Sequence, residues 1–383
     1  MSVTAAIGFR AAGVRAGIKK SGAPDVALVV NDGPLFVAAG VFTANRFKAA
    51  PVLWSQQVLS DGELRAVILN SGGANACTGA AGFADTHQTA ERVAELLKVG
   101  AGDVAVCSTG LIGELLPMTK IFAGVEKAVG ELSADGGDMA ATAIMTTDTV
   151  PKLAEIRSGG YTIGGMAKGA GMIAPALATM LVVITTDAVL TAEQADIALR
   201  SATGVTFDRI DSDGCMSTND TVLLLASGAS GVPAKIDEFT ASLTSLCWDL
   251  AGQIIKDAEG ASKDITIVVD DAHTAGDAVE VARAIARSNL LKCAIHGADP
   301  NWGRVLSAIG TTNAVFEPDK VDVAINGVWI CQGGAIGADR DLVDLSGRAV
   351  EIRVRLQAGS QAATVLTNDL TAEYVHENSA YAS

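Results

Sequence analysis

The chain has 383 residues, enough for two or three units of domain size. Its formal net charge of −15 argues against non-specific nucleic-acid binding, which relies on Lys and Arg to neutralise phosphates. The longest apolar runs are of strand length, far below the ~20 residues that a membrane-spanning helix needs. The first ten residues lack the pattern of a secretory signal, so we expect a cytoplasmic protein with six reduced cysteines.

Strands and amphipathic helices follow one another along the chain without strict alternation. Short apolar runs predict strands at 26–30, 66–70, 181–185, 221–226, 265–269, 321–325 and 350–356. Apolar spacing predicts helices at 86–99, 191–202, 236–257 and 274–289, the second of which opens with the capping box Thr191-Ala-Glu-Gln194. This mixture predicts an α/β fold of mixed layers, with sheets covered by helices. The sequence indicates no clear domain boundary.

The segment 168–181 reads Lys168-Gly-Ala-Gly-Met-Ile-Ala-Pro-Ala-Leu-Ala-Thr179-Met-Leu, and small residues leave Thr179 with little steric cover. A threonine hydroxyl is a poor nucleophile without an adjacent base, and a free α-amino group with a pKa near ~8 can be that base. We therefore hypothesise that the chain cuts itself between Ala178 and Thr179, giving fragments 1–178 and 179–383 that share one core. Thr179 would then use its own amine as the base in acyl transfer. The alternative interpretation is a core threonine that begins a buried strand.

Several segments resemble motifs of the ornithine acetyltransferase family, the glutamate N-acetyltransferases of arginine biosynthesis. Segment 168–181 fits the family pattern Lys-Gly-x-Gly-Met-x-x-Pro-x-x-Ala-Thr-Met-Leu at each fixed place. Four further segments are similar: Cys107-Ser-Thr-Gly-Leu-Ile-Gly113, Met145-Thr-Thr-Asp-Thr149, His296-Gly-Ala-Asp-Pro-Asn-Trp-Gly-Arg304 and Glu377-Asn-Ser-Ala-Tyr-Ala-Ser383. The resemblance covers nearly the whole chain. It implies the layered architecture that this family shares with self-cleaving aminopeptidases, built around an N-terminal nucleophile.

The resemblance also implies the site residues. They are the nucleophile Thr179, the oxyanion-hole residues Thr109 and Gly110, and the substrate-binding residues Thr146, Lys168, Thr179, Glu259, Asn378 and Ser383. Lys168 would contact a substrate carboxylate, and Glu259 would hold an ammonium of ornithine. From the residues alone, an ordinary turn at 108–110, an exposed loop lysine and a helix-end carboxylate remain open. The chain has Ala258 and Ser262 where the family usually has glycine and threonine.

The activity that the resemblance implies is transfer of acetyl from N2-acetyl-L-ornithine to L-glutamate through an acetyl-threonine intermediate. No cofactor is expected, and whether acetyl-CoA serves as a second donor stays open. The fragments would associate as a heterotetramer with two copies of each. Two other functions remain: a self-cleaving aminopeptidase or amidohydrolase with the same nucleophile, and a non-catalytic amino-acid-binding protein.

We expect no metal site. The four histidines are far apart and have no zinc-binding spacing. Asp208, Asp211, Asp213 and Asp220 share a polar segment, but Arg209 stands where a calcium loop needs an acidic residue. The bidentate glutamate of such a loop is also missing.

Overall fold

The computed structural model describes residues 2–172 and 180–380. The chain divides into two compact units. The first comprises Met1–Asp208 and Cys215–Asp257, and the second comprises Arg209–Gly214 and Ala258–Ala382. The hypothesised cleavage site lies within the sequence of the first unit, but Ala178 and Thr179 fall outside the described residues.

The strands of the first unit are β1 (Phe9–Val14), β2 (Val26–Asn31), β3 (Val37–Phe42), β4 (Ala66–Asn70), β5 (Val104–Ser108), β6 (Lys152–Ser158), β7 (Tyr161–Lys168), β8 (Leu181–Thr186) and β9 (Thr221–Ala226). Its helices are α1 (Ala50–Val58), α2 (Gly79–Leu97), α3 (Met118–Gly130), α4 (Gly137–Ala143), α5 (Ala192–Val205) and α6 (Ile236–Lys256).

The strands of the second unit are β10 (Asp264–Ala272), β11 (Asp322–Ile325), β12 (Val328–Gln332), β13 (Ala335–Ile336), β14 (Ala349–Arg355) and β15 (Gln361–Asn368). Its helices are α7 (Ala275–Ala286), α8 (Asn289–His296), α9 (Trp302–Ile309) and α10 (Ala372–Ala380).

Two sheets form the centre of the first unit. One has the strand order β1-β2-β4-β5, and the other has the order β3-β9-β8-β7-β6. In the second of these sheets, β8 pairs in parallel with β9 and antiparallel with β7. Every residue of β8 and β9 is buried, as expected for apolar, largely β-branched or leucine-rich strands in the middle of a sheet.

Helices cover both sheets of this unit. Helices α1, α2 and α3 contact strands of the first sheet, while α5 and α6 pack on each other and on the second sheet. Side chains from both sheets, including Val67, Leu69, Leu181 and Val183, belong to one continuous apolar core. The unit is therefore built of mixed α/β layers, which confirms the fold class predicted from the sequence.

The second unit is a sheet with the strand order β13-β12-β11-β14-β10-β15. β10 pairs in parallel with β14 and antiparallel with β15. Helix α7 packs on β10 and β15, and its buried side chains join those of the sheet in a core of their own.

The elements with strong sequence patterns are where the sequence predicts them. Helix α6 buries its row of Phe239, Leu243, Leu246, Leu250 and Ile254. The capping box of α5 is also confirmed, because the Thr191 hydroxyl accepts from the Gln194 amide while the Gln194 side chain accepts from the Thr191 amide. Within the described ranges, no helix combines the length and the apolar character required to traverse a bilayer.

Candidate active site

The turn after β5 is fixed by the strand beside it. Thr109 donates its amide to Asn70 O at 3.0 Å, and Gly73 donates its amide to Thr109 O at 3.0 Å. Gly110 has a φ of +132°. A Cβ at this position would lie 2.8 Å from Gly73 N and 2.9 Å from Gly73 Cα. Only glycine fits here, because both the backbone conformation and the closeness of the neighbouring chain exclude a side chain.

This turn presents two adjacent hydrogen-bond donors. The amide of Thr109 is already used, so the donor that Thr109 can offer is its hydroxyl. That hydroxyl oxygen accepts from Lys168 Nζ at 3.5 Å, which leaves its hydrogen free to point elsewhere. No described residue accepts from the amide of Gly110, which is half-buried. Two donors fixed in advance beside a cation are what a developing oxyanion requires.

Lys168, the last residue of β7, is buried with 2% of its surface exposed. A buried ammonium needs a counter-charge, and Asp148 provides it. Asp148 Oδ1 accepts from the amide of Gly169 at 2.7 Å and from Lys152 Nζ at 2.6 Å. Burial would raise the pKa of Asp148, but the charges of Lys168 and Lys152 and the bonds it accepts lower that pKa to about 2.

Thr146 meets the same carboxylate. Its amide donates to Asp148 Oδ2 at 2.9 Å and its hydroxyl donates to that oxygen at 3.5 Å. The structure therefore places Lys168 beside the Thr109 hydroxyl on the turn that includes Gly110, and it brings Thr146 and the charge of Lys168 to Asp148. Asp148 lies in the segment Met145–Thr149, and the sequence motif alone assigns it no role. The sequence feature that could have revealed this role is a single carboxylate among threonines, in a segment that resembles a substrate-contact motif.

Glu259 and Asn378 lie in the second unit and contact each other there. Asn378, on α10, donates its Nδ2 to Glu259 Oε2 at 3.0 Å. The turn that carries Glu259 is tied down by Thr371, whose hydroxyl donates to Gly260 O at 2.6 Å. It is tied again by Asp369, whose Oδ1 accepts the amides of residues 262 and 263 at 2.9 Å each. Glu259 is thus a half-buried carboxylate on a fixed turn, suited to pair with an ammonium.

Three of the sequence-predicted positions, Ala178, Thr179 and Ser383, lie outside the described residues. The chain is described again from Met180, whose amide donates to Asp220 Oδ1 at 3.1 Å. Asp220 is one of the four carboxylates in the polar segment 208–220. In the described part of the chain, no cluster of three or more His, Cys, Asp or Glu side chains is suited to holding a metal ion.

Known proteins resemble this chain along its whole length. The model of the ArgJ family matches residues 10–383. The arginine biosynthesis bifunctional protein ArgJ of Streptomyces coelicolor is 67% identical over 383 residues, with 100% of both chains covered. The protein of the same name from Thermobifida fusca is 64% identical, again with 100% of both covered. A solved structure of ornithine acetyltransferase complexed with ornithine, from Mycobacterium tuberculosis, is 63% identical over 47% of this chain and 96% of its own, with a TM-score of 0.45.

Proposed function

The chain belongs to the ArgJ family, and we propose that it is a self-cleaving acyltransferase of arginine biosynthesis. It moves acetyl from N2-acetyl-L-ornithine to L-glutamate. The names of relatives that match over their full length support the pathway. The observation that carries the chemistry is the donor pair of the Thr109 hydroxyl and the Gly110 amide beside the buried Lys168 ammonium.

The proposed activation step is a cut between Ala178 and Thr179. The Thr179 hydroxyl attacks the Ala178 carbonyl, and the peptide nitrogen takes up a proton as its bond to carbon breaks. This leaves an ester, which water hydrolyses to a carboxylate and the free hydroxyl. The products are fragment 1–178 and fragment 179–383, which begins with a threonine amine that can act as a base at neutral pH.

Acetyl transfer follows the same chemistry in two halves. The Thr179 amine takes the hydroxyl proton as the oxygen attacks the acetyl carbonyl of the donor, and the negative oxygen accepts from Thr109 and Gly110. Collapse breaks the carbon–nitrogen bond, and ornithine leaves with the proton. The amine of glutamate then attacks the acetyl-threonine ester, giving N-acetylglutamate and the free hydroxyl. No cofactor enters either half, and acetyl-CoA is proposed as a second donor in keeping with the relatives' description as bifunctional.

Substrate recognition uses opposite charges. Lys168 and Thr146 would hold a substrate carboxylate, since Lys168 is a buried ammonium and Thr146 carries a hydroxyl beside Asp148, the counter-charge of Lys168. Glu259, oriented by Asn378, would hold the side-chain ammonium of ornithine. Ser383 is proposed as a further contact on the strength of the sequence resemblance alone.

The two fragments should remain together after the cut. β7 precedes residue 178 and β8 follows residue 179, yet six residue pairs, from Ile163 with Thr186 to Lys168 with Leu181, align these strands in one sheet. β3 and β9 are a second such pair. On the strength of the sequence resemblance alone, we propose a heterotetramer of two copies of each fragment that acts in the cytoplasm.

The test begins with the purified protein expressed as one chain. Intact mass spectrometry under denaturing conditions should find fragments 1–178 and 179–383. Acetylornithine and glutamate should then yield ornithine and N-acetylglutamate in equal amounts, with the parallel double-reciprocal lines of a ping-pong scheme. Release of free acetate without an acceptor would instead indicate a hydrolase. An uncut chain that binds ornithine without turnover would refute the proposal.

A further inference from the structure

Two buried polar residues just before β9 connect the parts of the proposed site. Asn219 has 4% of its surface exposed and Asp220 has none. Neither residue is among those assigned to nucleophile, oxyanion or substrate. Buried polar side chains are costly unless their bonds are made, so the partners of these two residues indicate their role.

Asn219 holds the turn that carries Thr109 and Gly110. Its Nδ2 donates to Ser108 O at 2.8 Å, one residue before Thr109, and to Ala74 O at 2.6 Å, on the chain segment that pairs with the turn. The Thr218 hydroxyl donates to Asn219 Oδ1 at 2.6 Å. Since the amide oxygen is occupied by a donor and the nitrogen by two acceptors, the side chain has one satisfied orientation.

Asp220 holds the backbone on the other side. Its Oδ1 accepts from the amide of Met180 at 3.1 Å, and the next residue, Thr221, donates its own amide to Met180 O at 3.1 Å. Both polar groups of the Met180 backbone are therefore fixed by consecutive residues. Asp220 Oδ2 is buried and has no hydrogen-bond partner among the described residues.

The direction of the pKa shift of Asp220 is compatible with this arrangement. Burial raises the pKa of its carboxyl well above the ordinary value, although the Met180 amide, the Ser217 hydroxyl and the charge of Lys168 act in the opposite direction. A neutral carboxyl can still accept the Met180 amide through one oxygen. Asparagine has nearly the same shape and also carries an Oδ1 acceptor, so it can keep the bond to the Met180 amide.

After the proposed cleavage, the position of the nucleophile depends on the Met180 amide. Once the bond before Thr179 is broken, the peptide between residues 179 and 180 is the only covalent attachment of the nucleophile. The nitrogen of that peptide is the atom that Asp220 holds. The adjacent Asn219 holds the oxyanion turn. Asn219 and Asp220 thus hydrogen-bond to two backbone segments: the one next to the nucleophile and the one next to the proposed oxyanion donors.

We propose that Asn219 and Asp220 are positioning residues that fix the oxyanion turn and the start of β8 relative to each other. The inference rests on the proposed function. A displacement of about 1 Å between reacting groups can cost about 100-fold in rate, so the effect should fall on the chemical step and leave substrate affinity in place.

Four variants test this role. Asp220→Ala removes the acceptor and Asp220→Asn retains it. Asn219→Asp keeps the shape but loses both donated bonds. Asn31→Asp is the matched control, because buried Asn31 likewise donates to two carbonyls, Leu35 O at 3.1 Å and Ala226 O at 3.4 Å, at the far end of β9.

For each variant, cleavage is followed by intact mass and transfer by kcat and KM, with circular dichroism to verify folding. Asp220→Ala and Asn219→Asp should lower kcat and the cleavage rate about 100-fold with little change in KM. Asp220→Asn and Asn31→Asp should remain within about threefold of the parent. If Asp220→Ala does not fold, Asn219→Asp and Asp220→Asn decide the matter.

Two results overturn the inference. The first is an unchanged kcat and cleavage rate in Asn219→Asp, or in Asp220→Ala if that variant folds. The second is a fall in kcat of about 100-fold in Asp220→Asn, which would indicate that the carboxyl transfers a proton. The proposed function fails differently, since the parent protein itself would then neither cleave nor transfer acetyl. If the parent cleaves but uses another acceptor, the cleavage rates alone decide.

Discussion

Replacing Gly110 with alanine should test whether the turn of Thr109 and Gly110 supplies an oxyanion donor. The effect on kcat is compared with the effect of backbone strain on stability. The new Cβ would lie 2.8 Å from Gly73 N and 2.9 Å from Gly73 Cα, both backbone atoms that cannot rotate away. The φ of +132° adds strain of about 1–3 kcal/mol for a residue with a side chain. The turn must therefore move, and the Gly110 amide moves with it. Losing one oxyanion donor costs about 3–4 kcal/mol, so kcat should fall by about 10²–10³.

Gly113 is the control for this substitution. It also has a positive φ, +87°, but a Cβ there meets no atom within 4 Å. Gly113→Ala should therefore lose about 1–3 kcal/mol of unfolding free energy through strain alone while its kcat stays near that of the parent. Urea unfolding and steady-state acetyl transfer measure the two quantities. Equal kcat in Gly110→Ala and the parent, or equal losses in both alanine variants, would refute the reasoning.

Three other substitutions address separate parts of the site. Thr179→Ala should leave a single full-length chain on a denaturing gel, whereas Thr179→Ser should still cleave; two fragments from the alanine variant would exclude the autocatalytic step. Glu259→Ala should raise KM for acetylornithine about 10-fold, an effect of about 1.4 kcal/mol, and raise KM for glutamate less; equal increases would assign the residue elsewhere. Asp148→Asn should cost about 2 kcal/mol of unfolding free energy at pH 7, since the buried Lys152 ammonium loses one of its two carboxylate partners and keeps Asp257, with exposed Asp135→Asn as the control. The folded pKa of Asp148, about 2, lies below its ordinary value, so the ionised carboxylate stabilises the folded protein by about 2 kcal/mol. This stabilisation is complete above pH ~4 and disappears as the pH falls toward 2. An Asp148→Asn variant whose stability keeps the same acid dependence would contradict the assignment.

Periodicity and composition were sufficient for the layered fold but not for the arrangement of the site. The buried row of α6 and the capping box of α5 are local patterns, and both are confirmed. The role of Asp148 depends on Lys152, four residues away, and on Lys168, which the pairing of β6 with β7 brings close to Lys152. The sequence does not reveal which residues of two paired strands lie side by side, so it does not predict that Lys168 acts on Asp148.

The pairing of Asn219 with the turn is another property that the sequence hides. Asn219 and Ser108 are 111 residues apart. In the sequence, residues 218–220 form a polar stretch before an apolar strand, and no pattern there indicates that Asp220 accepts a backbone amide. Only the burial of both side chains and the identity of their partners distinguish these roles.

The position of β8 and β9 in the middle of their sheet has a consequence for how the active protein can be made. A free fragment 179–383 would present the open edge of β8 where β7 belongs and the open edge of β9 where β3 belongs. Exposed apolar strand edges recruit other chains and lead to aggregation. If the proposed cut occurs, a polypeptide translated whole can close both edges during folding before it is cleaved. Synthesis as one precursor would then protect the strand edges from aggregation, and two separately translated halves would lack that protection.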